Sequence, residues 1–124
     1  MDDRYQRGLA LLDRLDRGQG ARILAALEDV APDFARLLVE FAFGDICARP
    51  GLDLKTREIA TVAALTALGT APAQLRVHIQ AALNLGCSRT ELIEAIMQMA
   101  VYAGFPAALN GLAAAKEVFA AADT

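Results

Sequence analysis

Apolar residues recur at helical spacing along most of this 124-residue chain. In the opening segment, Asp3 to Leu15, Leu9, Leu12 and Leu15 share a face with Tyr5, while Arg4, Arg7 and Arg14 fall elsewhere. That phasing predicts an amphipathic helix closed by Gly18-Gln-Gly20. Asp33, after Pro32, is the candidate N-cap of a second helix through Phe34, Leu37, Leu38, Phe41 and Ile46. Arg49-Pro50-Gly51 ends it, because neither Pro nor Gly continues a helix cheaply. Asp53 is placed to cap a third helix, Lys55 to Leu68, with Gly69 as its C′ residue. From Ile59 to Leu68 this helix carries no charge, a pattern that predicts burial on all sides.

The fourth helix has Pro72 in its first turn, where the missing N–H does no harm, and ends at Gly86. Ser88-Arg-Thr-Glu91 is a capping box opening a fifth helix through Leu92, Ile96, Met99 and Ala100, stopped near Gly104. Pro106 begins the last, Ala107 to Ala121. With short connections and no linker, low-complexity tract or fixed-period repeat, residues 1–124 are expected to form one all-α domain, a bundle of about six helices.

Composition supports the class. The 27 Ala and 18 Leu suit helices, and the seven aromatics are too few for a sandwich. A net charge of -3 and no clustered Lys/Arg argue against a nucleic-acid surface. Two cysteines 40 positions apart give neither a disulfide framework nor a four-ligand zinc site, and one histidine excludes a His-rich metal site. The start, Met-Asp-Asp-Arg-Tyr, lacks the basic-then-apolar run of a signal peptide, so a reducing cytoplasmic setting is expected. The mean hydropathy of +0.35 is high for a small domain. A membrane is not expected to take that surplus, because the charge-free stretch Ile59 to Leu75 is broken by Gly69 and Pro72. Homo-oligomerisation through apolar helix faces is the expectation instead.

Two polar residues fall on apolar faces. At 100° per residue, Arg76, Gln80 and Asn84 share one side of the fourth helix, and His78 lies roughly opposite with Ala71, Gln74, Ala82 and Leu85. A packed histidine bonded to a carbonyl is the bland account. A functional one is attractive because its ordinary pKa suits proton transfer near neutrality. Glu58 shares a stripe with Leu54, Val62 and Leu65 on the most apolar helix, with Arg57 rotated about 100° away. A carboxylate there costs several kcal/mol unless paired or protonated, and Arg57, Arg76, Lys55 or His78 could be the partner. Helical spacing alone leaves open whether Glu58 and His78 meet. Cys47 and Cys87 lie near helix ends, and without a Cys-x-x-Cys there is no resolving thiol for dithiol chemistry.

Several strings in order, Gly44-Asp45-Ile46, Arg49-Pro50-Gly51-Leu52, Lys55-Thr56-Arg57-Glu58, Leu75-Arg76-Val77-His78, Ala81 to Gly86, the Ser88–Glu91 cap and Val101 to Ala108, span most of the chain. Together they resemble the carboxymuconolactone decarboxylase family. The resemblance implies an all-α, alkylhydroperoxidase-like fold assembled as trimers or hexamers, with the active site near a subunit interface. In the family's redox branch a Cys-x-x-Cys precedes the histidine. Here Ala71 and Gln74 stand at those positions, which counts against a thiol peroxidase. Cys47 falls where related decarboxylases often carry an aromatic, implying a changed pocket and a different lactone or keto acid.

For the decarboxylase branch the resemblance implies conversion of 4-carboxymuconolactone to 3-oxoadipate enol-lactone in aromatic catabolism, on a small lactone substrate. The substrate's own unsaturated lactone delocalises the electrons left by CO₂, so neither cofactor nor metal is expected. The residues then take roles: His78 as proton donor or oxyanion partner, Glu58 tuning or relaying its proton, Arg57 holding a substrate carboxylate, and Tyr102 as a further donor. Arg76 points away and is expected at a surface or interface. A second reading is a non-catalytic helical oligomer that binds a small ligand.

Overall fold

The computed structural model of the protein describes residues 3–124. Met1 and Asp2, the start of the N-terminal string considered above, lie outside the described residues. Every regular element is helical among the described residues: α1 (Asp3–Leu15), α2 (Gln19–Leu27), α3 (Pro32–Leu37) running directly into a π-helix (Leu38–Cys47), α4 (Leu54–Leu68), α5 (Pro72–Asn84), α6 (Arg89–Ala103) and α7 (Phe105–Ala122). The chain divides into two compact units, residues 1–54 and 55–124. No helix is long and apolar enough among the described residues to cross a membrane.

In the N-terminal unit α1 packs on the π-helix, and two glycines set how closely. A Cβ on Gly8 would collide with the Val39 carbonyl, and one on Gly44 with the carbonyl of Arg4. Leu11, Leu12, Leu15, Ala35, Val39 and Phe43 are buried in this unit. The Asp45 carboxylate takes a bidentate pair from Arg4, at 3.2 and 2.7 Å, and Arg7 Nε donates to the Gly44 carbonyl at 3.1 Å. The Gly44-Asp45 string therefore serves as a fastening of α1 to the π-helix. A wider π turn closes the segment, with the Ala48 N–H bonding the Phe43 carbonyl five residues back at 3.1 Å.

Helix α2 is an addition to the six expected. Gly18 (φ 81) ends the α1 turn, its N–H donating to Asp13 Oδ1 at 3.0 Å, as a stop signal should. Gly20 is different. It is buried in the first turn of α2, where a Cβ would meet the Leu9 side chain, and it lies inside a helix instead of breaking one. The next start is also corrected: Ala31 is the N-cap, Pro32 occupies the first turn, and Asp33 sits inside it. There its charge still suits the positive end of the helix.

The C-terminal unit is built around Val62, Leu75, Ile79, Ala82, Leu92, Ile96, Ala114 and Val118. Helix α4 begins at Leu54, directly after Asp53, and Gly69 (φ 71) closes it with its N–H on the Leu65 carbonyl at 3.2 Å. The expectation that α4 is buried all round is overturned. Only Glu58, Val62 and Thr66 are buried, and Leu68 is 65% exposed. A four-residue spacing keeps those three on one stripe, Ile59 and Leu65 beside it are only partly covered by the core, and Ala60, Ala64 and Leu68 form an exposed stripe. The buried Thr66 hydroxyl satisfies itself by donating to the Val62 carbonyl at 2.7 Å. Gly111 of α7 lets that helix close on Thr66 and Ile96, each of which a Cβ would press within 3 Å. The capping box forms as expected: Ser88 Oγ accepts from the Glu91 N–H at 3.0 Å, and Glu91 Oε1 from the Ser88 N–H at 2.8 Å.

Two consequences are measurable. Gly44→Ala should destabilise the protein by about 1–3 kcal/mol in urea denaturation, the usual range for overpacking against backbone. An unchanged midpoint would mean that α1 and the π-helix do not approach as described. The Ser88 backbone N–H, aided by the Ser88 hydroxyl, holds the Glu91 carboxyl below its ordinary value. A depressed carboxyl stabilises the fold above its unfolded pKa and loses that contribution as pH falls through its folded pKa. The Tm advantage of the native chain over Glu91→Gln should therefore be full near neutrality and shrink steadily as pH is lowered through and below the ordinary glutamate range. A constant difference across that range would contradict it.

Candidate active site

The site grows from the polar member of the α4 stripe. Glu58 sits in the second turn of α4, its side chain only 5% exposed, where an ionised carboxylate needs a donor close at hand. Helix α5 supplies it. His78 lies one residue before Ile79 and four before Ala82, both fully buried, so the packing of α5 turns the imidazole inwards. Its Nδ1 stands 2.9 Å from Glu58 Oε1 and 3.2 Å from Oε2. An ionised carboxylate only accepts, so against the ionised form of Glu58 the donor is Nδ1. Of the four partners considered for Glu58, the fold selects the histidine, and the histidine's partner is a carboxylate, not a carbonyl.

Neither side chain has a further hydrogen bond or ion pair among the described residues. The ring keeps 20% of its surface exposed. With Nδ1 committed to Glu58, Nε2 is left for whatever reaches the ring from outside. A histidine held by a carboxylate on one nitrogen and open on the other is fixed in tautomer and orientation, which is what an acid–base group requires.

The other expected site residues are less closely bound to this pair. Arg57 precedes Glu58 on α4 and is half-buried, with its Nε closed off from solvent and its carbonyl accepting from Thr61 Oγ1 at 2.8 Å. Tyr102 lies in the last turn of α6, is 76% exposed and hydrogen-bonds neither Glu58 nor His78. Arg76 turns away as expected and pairs with Glu117 of α7 at 3.7 Å. Ala71 is the N-cap of α5 and Gln74 an exposed residue in its first turn. Cys87 is buried in the core of its unit, its thiol 3.9 Å from the Lys55 carbonyl.

Three residues gain a role that periodicity did not suggest. In the N-terminal unit, Arg7 and Arg14 line a cleft together with Arg49. The seven-residue spacing of Arg7 and Arg14, which returns to the same helix face, was the available signal. Glu40 was also passed over. It is buried on the π-helix and paired with Arg36 at 3.4 Å, and Arg36 in turn covers the Tyr5 ring at 4.4 Å. That i,i+4 pairing is legible in the chain, but the burial of Glu40 is not.

Comparison with known proteins agrees with this architecture. Residues 32–117 match the carboxymuconolactone decarboxylase family, a span that includes both Glu58 and His78. The chain is 38% identical over 119 residues to 4-carboxymuconolactone decarboxylase of Acinetobacter baylyi, covering 95% of this chain and 88% of that one. It is 37% identical over 101 residues to an uncharacterized 15.0 kDa protein of Paracoccus denitrificans, covering 81% and 75% respectively. A nitrosuccinic acid decarboxylase of Metarhizium robertsii shares 34% identity over 76 residues, covering 61% of this chain and 52% of the fungal one. A match through most of the chain, in the same order as the helices just described, makes this protein a member of the carboxymuconolactone decarboxylase family.

Proposed function

We propose that the protein is a cofactor-independent carboxy-lyase that removes CO₂ from a small carboxylated, unsaturated lactone. The observation that carries this reading is the Glu58–His78 hydrogen bond of 2.9 Å, with the second ring nitrogen left for a ligand. Its support from relatives is that two of them are named decarboxylases, one for 4-carboxymuconolactone.

The chemistry asks little beyond a placed proton. When the C–C bond to the carboxylate breaks, its electron pair enters the conjugated lactone as a dienolate, and CO₂ leaves. A proton then adds to the carbon next to the lactone carbonyl, giving the enol-lactone. The imidazolium of His78 can supply that proton from Nε2 and remain as the Nδ1–H tautomer that Glu58 already holds; water restores the proton for the next turnover. Arg57 is assigned to a substrate carboxylate, for which its fork is suited, and Tyr102 to a supplementary donor role.

The same reading has the protein acting as a homo-oligomer, a trimer or hexamer. Val101, Tyr102, Phe105 and Leu109 are 76%, 76%, 73% and 61% exposed across the α6–α7 corner, a run of apolar surface that small monomers rarely leave open. A subunit seated there would also cover Tyr102.

For the reaction, CO₂ release from 4-carboxymuconolactone is measured in the native chain and in His78→Asn. Asparagine can still donate to Glu58 from the Nδ1 position but cannot transfer a proton, so kcat should fall about 10²–10⁴-fold with the fold retained. Native-like turnover in His78→Asn would overturn the role of the histidine, and binding without turnover by the native chain would favour a ligand-binding protein. For assembly, sedimentation equilibrium should give a multiple of the 13.1 kDa protomer, lowered by Phe105→Glu. A native chain that sediments as the protomer refutes the oligomer.

A further inference from the structure

Glu58 and His78 form a pair that can give up a proton, and the same contact defines a base. Once an imidazolium has delivered its proton from Nε2, the ring is neutral. Its Nδ1–H stays on the ionised Glu58 carboxylate at 2.9 Å, and Nε2 carries a lone pair. That carboxylate is 5% exposed and hydrogen-bonds only the ring among the described residues. Positive charge gathered on the imidazole is therefore answered at close range by a full negative charge. The ring is 20% exposed, and with Nδ1 turned to a buried group, water reaches it from the Nε2 side. A proton taken up there can be exchanged with water before it is returned, which a sealed site would not allow.

The surroundings on α5 suit an uncharged ligand. Gln74, one turn before His78 on the same face, is exposed, and Val77 is 40% exposed. Arg76, the one other basic residue of the helix, is drawn off to Glu117 at 3.7 Å. A carboxylated substrate adds the contact assigned to Arg57 on α4, but presenting a ring carbon to Nε2 does not require it. The dienolate left by CO₂ is also the anion formed when a carboxyl-free β,γ-unsaturated lactone loses a proton next to its carbonyl. The group that adds a proton there in one direction removes it in the other.

We propose that Glu58 and His78 also catalyse proton exchange and double-bond migration in carboxyl-free unsaturated lactones. The C–H bond next to the carbonyl breaks, its electron pair enters the conjugated lactone as the dienolate, and the proton goes to Nε2. Return of a proton from Nε2 to the same carbon completes an exchange with water. Delivery instead to the far end of the dienolate, the carbon that a departing carboxylate leaves, gives the α,β-unsaturated isomer. No ring bond to oxygen breaks, and nothing is oxidised or reduced. The activity rests on the decarboxylase reading, which assigns Nε2 its role, and extends it to substrates with no CO₂ to lose.

The test follows α-angelica lactone, a carboxyl-free β,γ-unsaturated lactone, by ¹H NMR in D₂O with the full chain. CO₂ release from 4-carboxymuconolactone is measured on the same preparation. The native chain should place deuterium next to the carbonyl and form β-angelica lactone about a hundredfold faster than His78→Asn, which keeps a donor for Glu58 but has no base. Glu58→Gln keeps an acceptor for Nδ1–H and loses the charge, so it should slow both changes about tenfold. Melting temperatures check that both variants stay folded. Native exchange no faster than His78→Asn, alongside CO₂ release, would overturn the proposal and leave the decarboxylase. Exchange without CO₂ release would support it and remove the decarboxylase, and the absence of both activities removes both. Ring opening in place of exchange would show a base acting on water, and would overturn the proposal. So would native-like exchange in Glu58→Gln.

Discussion

A carboxylate on the buried stripe of α4 has to be compensated where it lies, and the C-terminal unit is arranged so that it is. Desolvation penalises an ionised Glu58 by several kcal/mol, an amount comparable to the stability of a whole small domain. Val62 and Thr66 continue its stripe into the core, so the carboxylate starts from the packed side of its helix. His78 resolves the conflict by approaching both oxygens from α5. The packing of Leu75, Ile79 and Ala82 that holds α5 in place is thereby also what aims the imidazole. One contact serves both groups: the histidine satisfies the carboxylate, and the carboxylate leaves the histidine with one committed nitrogen and one available.

Small residues make such packing possible. Ala accounts for 27 of the 124 residues, and the helices of each unit close on one another where glycine or alanine faces a neighbour. Gly8 and Gly44 bring backbone against side chain and carbonyl in the N-terminal unit, and Gly111 does the same against Thr66 and Ile96 in the C-terminal one. Interiors packed this tightly tolerate little added volume. The cost is a chain with few large side chains to cover its remaining apolar surface, which is why Phe34, Phe41, Val101 and Phe105 stay exposed. Family motifs acquire plain physical meanings in this light. Gly44-Asp45 is a close approach and an ion-pair anchor, and Ser88–Glu91 a helix start.

Charge is distributed unevenly in a way that net charge conceals. An acidic chain of -3 still gathers three arginines around one cleft, because Arg7 and Arg14 share a face of α1 and the π-helix delivers Arg49 to it. A net figure describes solubility and long-range attraction, not such local placement. The two cysteines follow the same division. Cys47 borders this charged cleft and Cys87 is a core residue.

By itself the sequence determined whatever depends on neighbours along the chain. The capping box, the Pro72 and Pro106 starts and the Gly69, Gly86 and Gly104 turns are local, and these stand as expected, whereas the second helix turns from α to π at Leu38 and leaves Phe34, Leu37, Phe41 and Ile46 exposed. Placing Glu58 and His78 on inward faces needed only 100° per residue. What failed did so where one residue type serves two physical ends. Gly20 reads as a breaker along the chain but lies buried inside the first turn of α2. The charge-free α4 looked buried all round because periodicity counts apolar residues but does not know how many neighbours will cover them. Only the tertiary structure decided that Glu58 meets His78, that Arg76 goes to Glu117, and that arginines 35 or more positions apart border one cleft. Those are distances between helices, and they are set by how closely small side chains let the helices approach, a quantity that no spacing along one helix contains.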